Sequence, residues 1–542
     1  MASASPSKSH PAGLYVLFFT EMWERFGFYL MLGILFLYMT DTQSAGLGLS
    51  KSTANDIYGT YLALVYLTPF VGGLLADRIF GYGKTIIAGG SFMAIGYLSL
   101  AIPGISAFAV SLSLIIIGNG LFKPNISTLL GNLYNNEEYI HLKDRGYNIF
   151  YMGINIGAFV CNFVAAYLRN KYGWGYAFAS AGIGMLIGLM IFVTWQSRVA
   201  RADQRKPAQP EDMSLGKIAS IIFIPAILFA AIGFNAGSIL AQLQGKDPFT
   251  LFGSRSNDAF LFACIPIVGF YLSTFIRASS EDRKPIGSLL YIFTVVIIFW
   301  AIFHQNGNVL TEWAELNTRR EMPSAIQPLA STVKLEQIVT AETGADGKVN
   351  PYLNNLPKEQ WPAAGSQLSL ISTELFQSLN PFFVVMLTPV VIGFFSWLAS
   401  RGKEPSTPAK IALGLFITGL STLIMVAAVH FSDNGQYKVS PMWLVGTYAV
   451  ITFGELCLSP MGLSLVSKLS PPRLTALMMG GWFLSTSIGN KLAGVLGHLG
   501  SDSQSKSTVF YLNFAGAAIS AFLLFIMVRT IREVMKAKTG HY

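Results

Sequence analysis

Three ionisable residues stand inside an otherwise apolar run near the start of the chain, in the stretch Glu21-Met22-Trp23-Glu24-Arg25-Phe26. Spacings of three and four residues put Glu21, Glu24 and Arg25 on one face of a helix. Each charge costs at least a few kcal/mol in an apolar layer unless it is paired or wetted, so the group implies a polar cavity. A carboxylate there can pair with the guanidinium or take up a proton. The competing reading is a self-satisfied polar knot that only holds helices together. Lys123, Glu455 and Lys491 are further charges within later apolar runs. His304, after Phe299 and Trp300, titrates near neutral pH when unperturbed; it is a second candidate proton site, or a neutral imidazole bonded to a neighbouring helix. Lys491 reads as structural within its bundle, and His498 lies close to the outer interface. Nothing points to covalent catalysis or a metal centre, because the six histidines are scattered without ligand spacing. The 52 glycines fall within apolar helices and suit close packing rather than a nucleotide loop. The expectation is a protein that is not an enzyme and needs no cofactor.

The elements that must hold these charges are membrane spans. Of 542 residues, 52% are hydrophobic and 12% charged, about half the charge of ordinary soluble domains. Stretches of roughly 20 apolar residues, enough to cross the hydrocarbon layer, occur at fourteen places from Leu14 to Arg529. The net charge of +9 does not mark a nucleic-acid binder, since the basic residues sit in short loops between spans rather than in one stripe. Cys161, Cys264 and Cys457 fall inside apolar runs and read as packing residues, with no disulfide framework. Glu21, Glu24 and Arg25 interrupt the first run as no signal-peptide core would tolerate, so that span is expected to be retained. Placing the N-terminus inside puts 22 lysines and arginines in inner segments against 7 in short outer loops, so both termini are expected in the cytoplasm.

Spans seven and eight carry no ionisable residue and read as peripheral. Removing them leaves six spans on each side of a basic connector, the twofold layout of the major facilitator superfamily. The expected fold is all-α and polytopic, with twelve core helices in two bundles plus two extra helices. Its parts are an N-terminal bundle over 1–200, a linker with two additional helices over 201–285, and a C-terminal bundle over 286–542. The polar stretch 311–374 lacks strong periodicity and reads as a surface excursion.

Between spans two and three, Gly73-Leu74-Leu75-Ala76-Asp77-Arg78-Ile79-Phe80-Gly81 resembles the superfamily's signature loop. Its glycines permit a tight turn, and Asp77 and Arg78 can latch helix ends. The run opening on Glu21 resembles the ExxER motif of the proton-dependent oligopeptide transporters, the POT or PTR family. Phe150-Tyr151-Met152-Gly153-Ile154-Asn155-Ile156-Gly157 is similar to that family's FYxxINxG signature, and Gly120-Leu121-Phe122-Lys123-Pro124-Asn125 agrees. The resemblance continues through Tyr66, Asn380-Pro381, Gly454-Glu455-Leu456 and Trp482.

The resemblance implies a symporter that imports di- and tripeptides with protons by alternating access, as a monomer in a bacterial inner membrane. Glu21, Glu24 and Arg25 would form the proton-responsive cluster, and Lys123 with Glu455 a salt bridge between the halves. Arg25 and Lys123 would face the peptide carboxylate, while Asn155, Asn380 and Glu455 receive the amino end. Tyr29, Tyr66, Trp300 and Trp482 would shape side-chain pockets. Two positions depart from the family pattern: Leu32 stands where a second arginine is common, and His304 where an acid usually follows the tryptophan. The usual outer arginine-to-acid bridge is therefore not expected through this pair. Alternatives are a carrier for another small zwitterion or anion, such as an amino acid, nitrate or a peptide-like drug, a channel, or a polytopic membrane enzyme.

Overall fold

The structure is a computed structural model that describes residues 9–42, 44–135, 137–139, 142–204, 214–245, 247–325, 327–342, 349–363, 365–471 and 474–539. Among these residues fourteen long helices run in succession. They are α1 (Gly13–Thr40), α2 (Lys51–Leu75), α3 (Tyr82–Ser99), α4 (Ile105–Leu133), α5 (Lys143–Tyr172), α6 (Trp174–Thr194) and α7 (Gly216–Gln244). There follow α8 (Arg255–Ile276), α9 (Ser280–Phe303), α10 (Leu379–Ser400), α11 (Thr407–Phe431), α12 (Met442–Leu469), α13 (Thr475–Asp502) and α14 (Thr508–Thr539). A helix satisfies all its own backbone groups, which is why an apolar chain crosses a bilayer in this form. Eleven are long and apolar enough to span by length and composition. The others are α1, α3 and α13, of which α1 carries Glu21, Glu24 and Arg25.

Helices α1 to α6 pack around one apolar cluster running from Leu14 to Ala202. A second cluster joins α9 and α11 to α14, and it includes Ile218, Ile222, Ile267 and Tyr271 of the α7–α8 hairpin. The hairpin thus packs on the C-terminal bundle and touches α2 at Ala63 through Phe260 and Cys264, while Ile227, Leu228, Ile265 and Ile276 are exposed on its far side.

Close helix approach is forced at specific points. Pro124 cannot donate to Gly120 O, and α2 comes so near this carbonyl that a Cβ on Gly72 would lie 1.9 Å from it. Asn125 Nδ2 fastens the crossing by donating to Gly72 O at 3.2 Å. Gly73, the residue singled out from sequence, has ordinary room; the tight contact belongs to its neighbour.

Within the stretch 311–374, read from sequence as a surface excursion without strong periodicity, the described residues form helical and strand elements. Helix α9 ends in a 3-10 turn at His304–Gly307 and resumes as a short helix, Val309–Asn317. Beyond it β1 (Glu336–Val339) pairs antiparallel with β2 (Leu368–Ile371), Glu336 opposite Ile371. Val339, Tyr352, Leu353, Leu356 and Leu370 form a small core under this cap. Arg320 is fully buried there, its guanidinium donating to Gln337 Oε1 at 2.9 Å and Ile371 O at 2.8 Å and pairing with Glu315.

Candidate transport site

Between the two bundles lies a cavity of about 2810 Å³. Its mouth is lined by Asp77, Tyr147, Lys217, Arg277 and Lys410, all at helix ends on the face where α1 begins and α14 ends. The cavity therefore opens on that face. On the opposite face the halves are in contact: a Cβ on Gly59 of α2 would sit 2.8 Å from Gly494 Cα of α13. Asn308 Nδ2 donates to Asn55 Oδ1 at 2.8 Å, and Ser487 Oγ to Ala63 O at 2.6 Å.

Helix α1 brings the ExxER residues to the cavity edge. Arg25 is held by Glu24 through Nε and through Nη2, the latter at 2.7 Å from Oε1, and its Nε lies 3.4 Å from Glu21 Oε1. Glu21 and Arg25 line the cavity, whereas Glu24 lies behind them, fully buried. Among the described residues, Glu21 Oε2 has no hydrogen-bond partner. The rings of Phe28 and Tyr29 lie 4.8 and 5.9 Å from the guanidinium carbon, so one turn of α1 presents a cation framed by two acids and two aromatics.

Lys123 of α4 directs its ammonium at the Tyr66 ring, 4.1 Å from the centroid. The expected Lys123–Glu455 salt bridge is not formed. Glu455 Oε2 instead accepts from Asn380 Nδ2 at 3.0 Å, and Asn380 also donates to Thr452 Oγ1 at 3.0 Å. Lys123 sits on the N-terminal wall and Glu455 on the C-terminal wall of a cavity that is open between them, and each has found a partner on its own side. Asn155 Nδ2 donates to Tyr151 O at 2.9 Å within α5, and the residue lines the same cavity.

The aromatic wall comes from α9 and α13. Trp300 and Trp482 meet edge to face at 6.3 Å, and Trp300 Nε1 has no hydrogen-bond partner among the described residues. His304 opens the 3-10 turn that ends α9. Its Nδ1 lies 3.2 Å from Trp300 O, and the rings of Tyr66 and Trp300 stand 5.6 and 5.5 Å away. Arg25, Tyr29, Tyr66, Lys123, Asn155, Trp300, His304, Asn380, Glu455 and Trp482 thus all border one space.

The signature loop lies at the cavity mouth. Tyr82 Oη donates to Asp77 Oδ1 at 2.5 Å, and Gly81 adopts φ +82°, a conformation that strains any residue with a Cβ. The side chain of Arg78 lies outside the described residues. Asp203, in the segment after α6, accepts from Tyr82 N and Gly83 N at 2.9 and 3.1 Å and so caps α3. A lone aspartate in a polar linker gave no sequence signal for this role.

Sequence reasoning also missed the closed face. Arg169 at the end of α5 pairs with Glu374 before α10 at 2.7 Å, and Lys51 with Glu312 at 2.6 Å. Leu32 and His304 are not needed for this closure. Lys491 is not confined to its own bundle as expected: its Nζ reaches Asp56 of α2 at 2.9 Å. His498 Nδ1 likewise meets Ser52 Oγ across the halves, at 2.5 Å.

Two helical bundles with buried ionisable residues between them, open on one face and closed on the other, define a membrane transporter of the alternating-access class. The POT family (PTR2) matches residues 83–332 and 366–512. The chain belongs to this family. A di-/tripeptide transporter of Lactococcus lactis subsp. lactis is 33% identical over 485 residues, covering 88% of this chain and 87% of its own. An uncharacterized transporter of Bacillus subtilis, YclF, is 35% identical over 88% of this chain and 85% of its own. A solved peptide transporter POT in complex with sulfate superposes with a TM-score of 0.76 at 31% identity, over 98% of each chain.

Proposed function

We propose that the chain is a proton-coupled symporter that imports dipeptides and tripeptides by alternating access. The observation that carries this reading is the division of charge in one cavity, with the cations Arg25 and Lys123 on the N-terminal wall and Glu455 with Asn380 on the C-terminal wall. A peptide's ends are opposite charges at a fixed separation, and such walls complement them. Arg25 and Lys123 take the carboxylate, Asn155, Asn380 and Glu455 the amino end, and Tyr29, Tyr66, Trp300 and Trp482 the side chains. The cavity exceeds the ~300–1,000 Å³ of ordinary small-molecule pockets, so the site hydrates when it faces its open side.

Coupling follows from the carboxylates around Arg25. While Glu24 and Glu21 are ionised they hold the guanidinium. A proton on either weakens that hold and frees Arg25 for the substrate carboxylate. Glu455 then exchanges Asn380 for the amino end or for Lys123 as the halves close. His304, on the same wall, serves as a second proton site. Each inward proton supplies about 2.3 kcal/mol per 100 mV, so no ATP, metal or organic cofactor enters the cycle, and the protein is not an enzyme. It works as a monomer in a bacterial inner membrane, with both termini and the open mouth in the cytoplasm.

Uptake of labelled dialanine into proteoliposomes, with and without an imposed inward proton gradient, tests the reading. Accumulation above equilibrium only with the gradient is expected. Equal uptake in both conditions, or competition by amino acids but not by dipeptides, would replace it.

A further inference from the structure

The α7–α8 hairpin borders the cavity only with its inner half, for example through Lys217, Ile222 and Phe270, while its outer end joins a polar cluster at the seam between the halves. Lys491 of α13, only 2% exposed, donates to Asp56 Oδ1 at 2.9 Å, to Thr60 Oγ1 at 2.5 Å and to Ser256 Oγ at 2.7 Å. Ser254 and Ser256, at the start of α8, both donate to Asp56 Oδ1, at 2.9 and 2.5 Å. One carboxylate oxygen of the N-terminal half is thus gripped from the C-terminal half and from the hairpin together.

The serines are held ready for this contact. Asp258 accepts from Leu251 N and Phe252 N at 2.9 and 2.8 Å, and Asn257 Nδ2 donates to Phe252 O at 2.7 Å, so the turn entering α8 is fixed. Ser254 also caps α8 by accepting from Asn257 N. Deeper in the layer Phe260 and Cys264 pack on Ala63 of α2 and Ile488 of α13. Near the terminus-bearing face Tyr271 Oη donates to Leu477 O of α13 at 2.8 Å, while Phe70 of α2 meets Phe223 at 6.1 Å.

We propose that the α7–α8 hairpin is a third member of the outer gate, riding with the C-terminal half and clasping Asp56 of α2 through Ser254 and Ser256 so that the outer face is held shut. Its buried core residues Ile218, Ile222, Ile267 and Tyr271 belong to the cluster of the C-terminal bundle, so outward opening carries α2 away from it, parts the contacts of Phe260 and Cys264 with Ala63 and exchanges two serine bonds to Asp56 for water. Ser256 then remains with Lys491, which keeps that buried ammonium from losing all its partners. The hairpin's outer end sets the balance between closed and open outer faces, away from the residues assigned to substrate.

The inference rests on the alternating-access reading, and its test uses no substrate, so the two fail separately. Spin labels at Thr53 of α2 and Leu499 of α13, with the three native cysteines replaced, report the outer separation in nanodiscs. Ser256→Ala removes one clasp but keeps the helix cap. It is expected to raise the longer-distance population about two- to tenfold, the effect of one ordinary hydrogen bond on a two-state balance. Ser254→Ala carries the same expectation as an independent variant, and Asp56→Asn should exceed both. Distance distributions unchanged in the two serine variants, whether or not Asp56→Asn shifts, would overturn the proposal and leave the hairpin a passive flank.

Discussion

Arg25 spends this conformation in the grip of acids rather than open to a ligand. Its bidentate pairing with Glu24 and the more distant contact with Glu21 mean that any further carboxylate would have to displace one negative charge to reach it. Glu24→Gln keeps the shape and removes that charge permanently, and Lys123→Ala removes the second cation of the same wall. Proton-driven uptake is expected to fall by about tenfold or more in each, since a single buried charge contact exceeds the ~1.4 kcal/mol that a decade represents. Glu24→Gln should in addition lose the pH dependence of substrate exchange without a gradient. Proteoliposome uptake and exchange across pH 5.5 to 8 measure both, and wild-type values would remove these residues from the cycle. Arg25, Lys123 and Glu455 stood out in sequence because a charge in an apolar run is conspicuous, whereas Tyr29, Tyr66, Asn155, Asn380 and Trp482 came only through the family resemblance; all border the one cavity. The pairings were not legible, because whether Lys123 meets Glu455 or the Tyr66 ring depends on how far apart two distant helices stand.

Elements were read from sequence with uneven success, for physical reasons. The fourteen apolar runs read from sequence coincide with the fourteen long helices, even where Pro69 follows a break in α2 at Thr68. The cap over 318–372 does not, because β1 and β2 are short and pair across an intervening stretch that carries no period of its own. Its chemistry is nonetheless testable. Lys438, between α11 and α12, stacks its ammonium 3.9 Å from the Tyr352 ring centre and donates to Leu316 O at 2.6 Å. Burial, with the Arg320 guanidinium nearby, pushes it down to about 7. A lysine in the opened cap titrates near ~10.4, so between these values the open form binds more protons than the closed one. The closed cap must therefore gain stability as pH rises from about 7 toward 10. Hydrogen exchange of the β1 and β2 amides, corrected for intrinsic rates, should show protection increasing over that range. Lys438→Met should flatten the slope; an equal slope in the variant would assign it to another group.

At the scale of the whole molecule, the closed face and the open cavity are two ends of one rocking motion, and the closed face is fastened on both flanks of the seam. On one flank α2 meets α13 through Asp56 and Lys491; on the other α5 meets the segment before α10 through Arg169 and Glu374. Both fastenings must part for substrate to enter from the outer side, because no opening bypasses them in a pair of rigid bundles. The second flank can be tied shut by a linker that reaches buried Ser372 when the outer face opens. Asn170 Nδ2 donates to Ser372 Oγ at 2.7 Å, so cysteines at these two positions, with the three native cysteines replaced, lie within reach of a short bis-methanethiosulfonate linker. Linking them should reduce uptake to background and leave binding of a fluorescent dipeptide from the open mouth intact, and a reductant should restore transport. Full uptake by fully linked protein would show that α5 and the α10 entry do not separate, and substrate would then have to enter along the α2–α13 flank alone. The two ends of the linkage are invisible as a pair in the sequence, 202 residues apart. They become a prediction only because the bundles bring the end of one span of the first half against the entry to a span of the second.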